Sequence, residues 1–148
     1  MSAMTASLSS ELRVQPAPVP GQPGMTEGSV RTWLRIEGVA GFAGGLVLFG
    51  MSGGNWLFLV PLLLVPDVSA AGYLAGQRVG AFTYNLVHNW ALGLAVLALA
   101  VATGSGAVQL AAAILLAHVG MDRAVGYGLK LPGSFHATHL GTKGTAKA

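Results

Sequence analysis

Gly80–Ala102 reads GAFTYNLVHNWALGLAVLALAVA, a run of 23 residues without a lysine, arginine, aspartate or glutamate. As a helix rising 1.5 Å per residue it spans about 35 Å, enough to cross a hydrocarbon core of about 30 Å. The same run carries His88. An ionisable side chain in hydrocarbon is costly unless it faces a partner or water, so it marks a functional position by default. The stretch therefore predicts a membrane-spanning helix with a site on it.

Working outward, three more apolar runs match it in length: Trp33–Met51, Trp56–Leu74 and Ala107–Tyr127. The turns between them are short: SGGN at Ser52 to Asn55, GQR at Gly76 to Arg78, TGSG at Thr103 to Gly106. Short turns make sequential helices antiparallel neighbours, so the expected fold is an all-α membrane protein, an up-and-down bundle of four transmembrane helices. Pro61 and Pro66 remove backbone donors and are expected to kink or split the second span. Composition agrees: 53% hydrophobic residues, 9% charged and a mean hydropathy of +0.62 lie outside the soluble range. There is no cysteine, which excludes disulfides, thiolate nucleophiles and cysteine metal sites.

Residues 1–30 are rich in Ser, Pro and Gly and read as a disordered tail, within which Met25 offers a second start. Residues 31–130 form the expected transmembrane domain, and 131–148 a short polar tail. All eight basic residues, Arg13, Arg31, Arg35, Arg78, Arg123, Lys130, Lys143 and Lys147, lie in the N-terminal part, the second turn or the C-terminal end. By the positive-inside rule both termini are cytoplasmic, with Trp56 near the opposite interface. The pI near 9.7 thus reflects topology, and nucleic acid is not an expected partner. Gly41 with Gly45, Gly72 with Gly76, and Gly76 with Gly80 are GxxxG spacings that suit packing within the monomer or in a homodimer.

Depth counted from the cytoplasmic turns puts Asp67, His88 and His118, from three different spans, roughly 12 to 14 Å inside if the helices are regular. Glu37, Tyr84, Asn85, Asp122 and Arg123 come about one turn nearer the surface. Tyr84 and His88 are i,i+4, as are His118 and Asp122, so each pair shares a helix face. Three chemistries suit these groups. Two imidazoles and a carboxylate from Asp67, His88 and His118 match a divalent metal site, zinc or non-haem iron, with Asp122 or Asn85 orienting a ligand. The same groups suit proton or solute handling. They also suit general acid/base work on a lipid head group. In the metal reading the ion activates water against a membrane-associated substrate, with Asp122 orienting His118 and Arg123 or Lys130 holding a phosphate. Against these stands a structural role, interhelical hydrogen bonds worth about 1 kcal/mol each.

Other motifs carry less. AVGYG at Ala124 to Gly128 is close to a potassium-filter sequence but has no spanning helix after it. His136 and His139, in HATH beside Phe135, suit an interfacial ligand or a lipid-phosphate contact together with Lys130. Ser69 and Ser134 lack a GxSxG elbow.

The runs LRIEG (Leu34 to Gly38), PDVSAAGYLAGQRVGAFTYNLVHNWAL (Pro66 to Leu92) and AHVGMDRAVGYGLKLPGSFHATHLG (Ala117 to Gly141) resemble the bacterial membrane-protein family of domain of unknown function 4260. The resemblance implies a small multi-span membrane protein and no particular activity. Its motifs fall on Asp67, Tyr73, Tyr84, Asn85, His88, His118, Asp122, Arg123, Tyr127, Lys130 and His139, while Asn89 and Gly93 depart from the common Thr and Pro. LLVPDVS (Leu63 to Ser69) is also similar to the LLPDID run of membrane-bound metal-dependent hydrolases. There Ser69 and Ala70 replace the second Asp and the following His.

Overall fold

The computed structural model describes residues 28–142, which are mainly helical, with a short two-stranded β ribbon near the end. The expected tail up to residue 27, with Met25, and residues 143–148 lie outside the described residues. In chain order come α1 (Gly28–Met51), a 3-10 turn (Trp56–Phe58), α2 (Leu59–Leu63), a 3-10 stretch (Pro66–Ala75), α3 (Gln77–Val87), α4 (Trp90–Thr103), α5 (Gly106–Val125), β1 (Ala137–Thr138) and β2 (Gly141–Thr142).

Three segments are long and apolar enough to cross a membrane: Val30–Met51, Trp56–Ala75 and Gly106–Val125. The third expected span is not one straight helix. It breaks at His88 and Asn89 into α3 and α4, bent by 42°, and makes a fourth crossing if the pair is one span. The cause is local. Asn89 adopts an extended backbone and its Oδ1 accepts the Leu92 N–H at 2.9 Å, which starts a new helix. Its Nδ2 meanwhile donates to the carbonyls of Asn85 and Leu86, both at 2.8 Å, which closes the old one.

The second span follows the proline argument. Pro66 opens ten residues of 3-10 helix, far beyond the usual three or four. Asp67 N–H bonds the Leu64 carbonyl (3.2 Å) and Val68 N–H the Val65 carbonyl (3.1 Å). The 3-10 donor for the Leu63 carbonyl would be residue 66, a proline without an N–H. That carbonyl is left for another partner.

Helix α5 is the centre of the molecule, packed on α1 and α4. Small residues set the α1–α5 seam: Gly38 lies against the Arg123–Ala124 backbone, Gly41 and Phe42 against Gly120, and Gly45 against Ala117. The descending partner numbers make the pair antiparallel. A Cβ on Gly45 would sit 2.5 Å from the Ala117 nitrogen, and one on Gly38 or Gly120 would strike backbone. Close backbone approach of this kind is what small-residue spacings provide. Gly41 also faces Trp90, while Gly72 and Gly80 face Thr83 and Tyr73 across the hairpin of the 3-10 stretch with α3. Gly41, Gly45, Gly72 and Gly80 therefore lie against neighbours of the same chain, whereas Gly76 meets nothing within 4 Å.

Beyond α5 the chain turns back. Gly126 caps the helix at φ +89°, a left-handed conformation that favours glycine. Lys130 then pairs with Thr138 in a β-bridge, and Lys130, Thr138 and Leu140 are buried. Residues 127–142 are thus folded onto the end of the bundle.

Candidate metal centre

Pro66 places Asp67 on the first turn of the 3-10 stretch, the Asn89 break places His88 at the end of α3, and α5 supplies His118. One ligand atom from each comes within 4.8 Å of the other two. Both imidazoles are fully buried, whereas the Asp67 side chain is 49% exposed.

The hydrogen bonds fix the ring tautomers. His118 Nδ1 lies 2.6 Å from the Leu63 carbonyl that Pro66 left free, and His88 Nδ1 lies 2.9 Å from the Tyr84 carbonyl. A carbonyl only accepts, so each Nδ1 carries the proton and each neutral ring offers an Nε2 lone pair. Both lone pairs meet the same oxygen: Asp67 Oδ1 is 3.3 Å from His88 Nε2 and 3.6 Å from His118 Nε2. His118 Nε2 is buried with no hydrogen-bond partner. Three such ligand atoms so close together could hold a cation at their centre. Bonds of about 2.0–2.2 Å to a tetrahedral ion put neighbouring ligand atoms roughly 3.3–3.6 Å apart, as the two imidazole–carboxylate separations are here.

The surrounding residues hold this geometry. Tyr84 stacks on His88 (ring centroids 3.6 Å apart) and donates to Asp122 Oδ2 at 2.9 Å. Asp122 Oδ2 stands 3.9 Å from His118 Nε2, too far for the hydrogen bond expected from the i,i+4 spacing, because Nδ1 turns to Leu63 instead.

Arg123 bonds backbone: its Nη2 donates to the His88 carbonyl (2.9 Å), which the break in α3–α4 leaves open, and its Nη1 to the Tyr127 carbonyl (2.7 Å). Arg35 Nε likewise donates to the Ala124 carbonyl at 2.8 Å.

Asn85 clamps the returning chain, donating to the Lys130 carbonyl (2.9 Å) and accepting the Lys130 N–H (2.7 Å). Lys130 Nζ donates to the Phe135 carbonyl (2.8 Å) and lies 5.1 Å from the Tyr84 ring centroid and 4.1 Å from that of Phe135. Burial pushes its pKa down, with Asp122 and Asp67 opposing.

His139 Nδ1 accepts the Leu129 N–H at 2.8 Å, in the C-terminal ribbon rather than at the cluster. Glu37 is exposed on α1 and does not join the cluster; α1 presents its glycines, not this carboxylate, to α5. The residue types of the site were legible, but the two carbonyls were not. The signal for one was Pro66, which frees the carbonyl three residues before it.

Residues 31–142, about three quarters of the chain, match the family described as Domain of unknown function (DUF4260). The chain belongs to this family. No curated protein and no solved structure matches it. In this DUF4260 chain the family match takes in all three cluster residues, the Asn89 break and the Lys130–Asn85 clamp.

Proposed function

We propose that the protein is a four-helix inner-membrane bundle holding one divalent metal ion on Asp67, His88 and His118, and that the ion activates water against a membrane-associated substrate. The observation that carries the reading is the pair of Nε2 lone pairs converging on one carboxylate oxygen, with His118 Nε2 otherwise unpartnered. Two imidazoles and a carboxylate leave further coordination positions for water, and suit zinc or non-haem iron. The exposed Asp67 is the side from which water and substrate reach the ion. When bound, the ion would supply a water of lowered pKa at neutral pH. The Tyr84–Asp122 pair holds the adjoining wall in place.

Orientation with the site nearer the cytoplasm has support from the basic residues. Arg35 on Ala124, Arg31 beside Gly141 and the Tyr73 ring on Phe135 gather the Arg78 turn, the start of α1 and the end of α5 at one end of the molecule.

Metal analysis of purified protein tests the reading: about one equivalent is expected. His88→Ala with His118→Ala is expected to abolish it. Protein that takes up no zinc, iron(II) or manganese on titration would overturn it and favour the second reading, a proton held at the same node, since a proton also satisfies the converging lone pairs. In that case the protein leaves no metal signature. A reporter fused after Ala148 that reads outside the cytoplasm would contradict the orientation.

A further inference from the structure

Buried charge in this molecule gathers around the cluster. Arg123 and Lys130 are each 6% exposed, yet neither has a carboxylate oxygen within 4 Å among the described residues. Arg123 bonds the His88 and Tyr127 carbonyls and Lys130 Nζ the Phe135 carbonyl, so both cations are held by neutral groups. Asp122 is buried as well, and its side chain takes one hydrogen bond among the described residues, from the Tyr84 hydroxyl. Charges of opposite sign thus act on one another through space rather than by contact: Asp122 and Asp67 both oppose the effect of burial on Lys130. Glu37, Arg31, Arg35 and Arg78 are exposed and stand outside this set. Within it, Asp67 and Asp122 balance Arg123 and Lys130, and the metal-free site is neutral.

A divalent ion on Asp67, His88 and His118 adds two positive charges that no buried side chain among the described residues offsets. Excess charge held away from water is unfavourable, and an anion of matching charge relieves it. Resting on the metal reading above, we infer that the loaded site takes a phosphate monoester, bound on the Asp67 side of the ion. The count of charges selects the class. A phosphate monoester carries roughly −1.5 to −2 at pH 7, whereas a carboxylate or a phosphodiester carries a single charge. Its oxygens also suit a divalent ion already held by nitrogen and oxygen. Geometry selects the side, because the Asp67 side chain is half exposed while both imidazoles are covered. Arg123 and Lys130 contribute through their field and need no contact with the ligand. Phosphate monoesters occur both as lipid head groups and in solution, and the charge recognises the group they share.

The test uses the full chain in phosphatidylcholine nanodiscs, loaded with one equivalent of manganese(II), a paramagnetic ion that broadens the phosphorus-31 NMR line of a phosphate bound beside it. Glycerol 3-phosphate in solution and phosphatidic acid in the bilayer are the two probes; broadening of either supports the inference and tells which source the site uses. Acetate, with one charge, is expected to compete about tenfold more weakly than inorganic phosphate. Asp122→Asn removes a negative charge at nearly constant shape and is expected to tighten phosphate binding about tenfold, whereas Lys130→Met removes a positive one and is expected to weaken it about tenfold. Lys130→Arg keeps the charge and should match the parent. A packing role for these residues would weaken binding in both Asp122→Asn and Lys130→Met, so the opposite signs carry the test; should Lys130→Met not fold, the sign in Asp122→Asn decides it. No broadening by manganese-loaded protein, acetate that competes as well as phosphate, or phosphate binding in Asp122→Asn that is unchanged or weaker overturns the inference and leaves the metal reading standing. Protein that takes up no manganese, iron(II) or zinc overturns the metal reading and the inference with it.

Discussion

Replacing Pro66 by alanine restores one N–H at a position chosen by the structure. The new donor lies three residues after Leu63, the 3-10 distance, and competes for the carbonyl that His118 Nδ1 now holds at 2.6 Å. A buried neutral hydrogen bond contributes about 1 kcal/mol net, and loss of a group that orients a metal-bound histidine costs 10–100-fold in metal affinity. At about 1.4 kcal/mol per tenfold, the expected outcome is about tenfold weaker binding, measured by competition with a chromophoric chelator. The metal-free protein offers an independent readout. Nitrogen-15 NMR of His118 should report a protonated Nδ1 and a bare Nε2 in the parent, and a mixture of tautomers in Pro66→Ala. Pro61→Ala is the control, because it restores a donor in α2 away from the Leu63 carbonyl and should leave both readouts unchanged. Parent-like affinity and tautomer in Pro66→Ala would refute the link between proline, carbonyl and imidazole.

Other outcomes follow from the same contacts. Gly120→Val forces a side chain into the Gly41–Phe42 backbone and should cost about 1–3 kcal/mol or more in detergent unfolding, whereas Gly44→Ala meets nothing within 4 Å and should be neutral or slightly stabilising. Arg123→Lys keeps the charge but has a point ammonium where a fork now bonds the His88 and Tyr127 carbonyls, so thermal stability should fall by about 1–3 kcal/mol. His139 has its pKa lowered from 6.5, first by burial and then by Arg123, so the unfolded ribbon binds the proton more readily than the folded one. Ribbon stability is then complete above pH 6.5 and is lost as pH falls through that value toward the folded-state pKa. Hydrogen exchange at the Leu129 amide, the donor to His139, should accelerate beyond its intrinsic pH dependence in that window, and unchanged protection there would contradict it.

Legibility in the sequence followed the range of the interaction. Charge-free runs and short turns identified the apolar helices because hydrophobicity over some twenty residues is a local property. Helical spacing put Tyr84 on the face of His88, and the two rings stack. Depth counting brought Asp67 to the two histidines although it assumed regular helix through a stretch that is 3-10. The break at His88 was readable in principle, since Asn89 before WALGL is a good helix cap, but an unbroken apolar run outweighed one residue. The destinations of Arg123 and of both Nδ1 atoms were not readable. They depend on which backbone carbonyls a proline and a broken helix leave open, and that is settled only when the segments meet. The same holds for residues 131–142, whose polar composition reads as tail while the Asn85 clamp on Lys130 and the Lys130–Thr138 bridge hold them to the helices.

Arg123 joins the end of α3 to the end of α5, and so ties the two imidazole-bearing helices together. The carboxylate rides on a different kind of element, a ten-residue 3-10 run with an exposed side chain at its head. Such a site has two side chains on cross-tied helices and a third on a separate segment. In the proposed metal reading, substitutions on α3 and α5 would then act on the imidazole ligands and substitutions on Pro66–Ala75 on the carboxylate, so the two kinds of ligand would be open to separate adjustment.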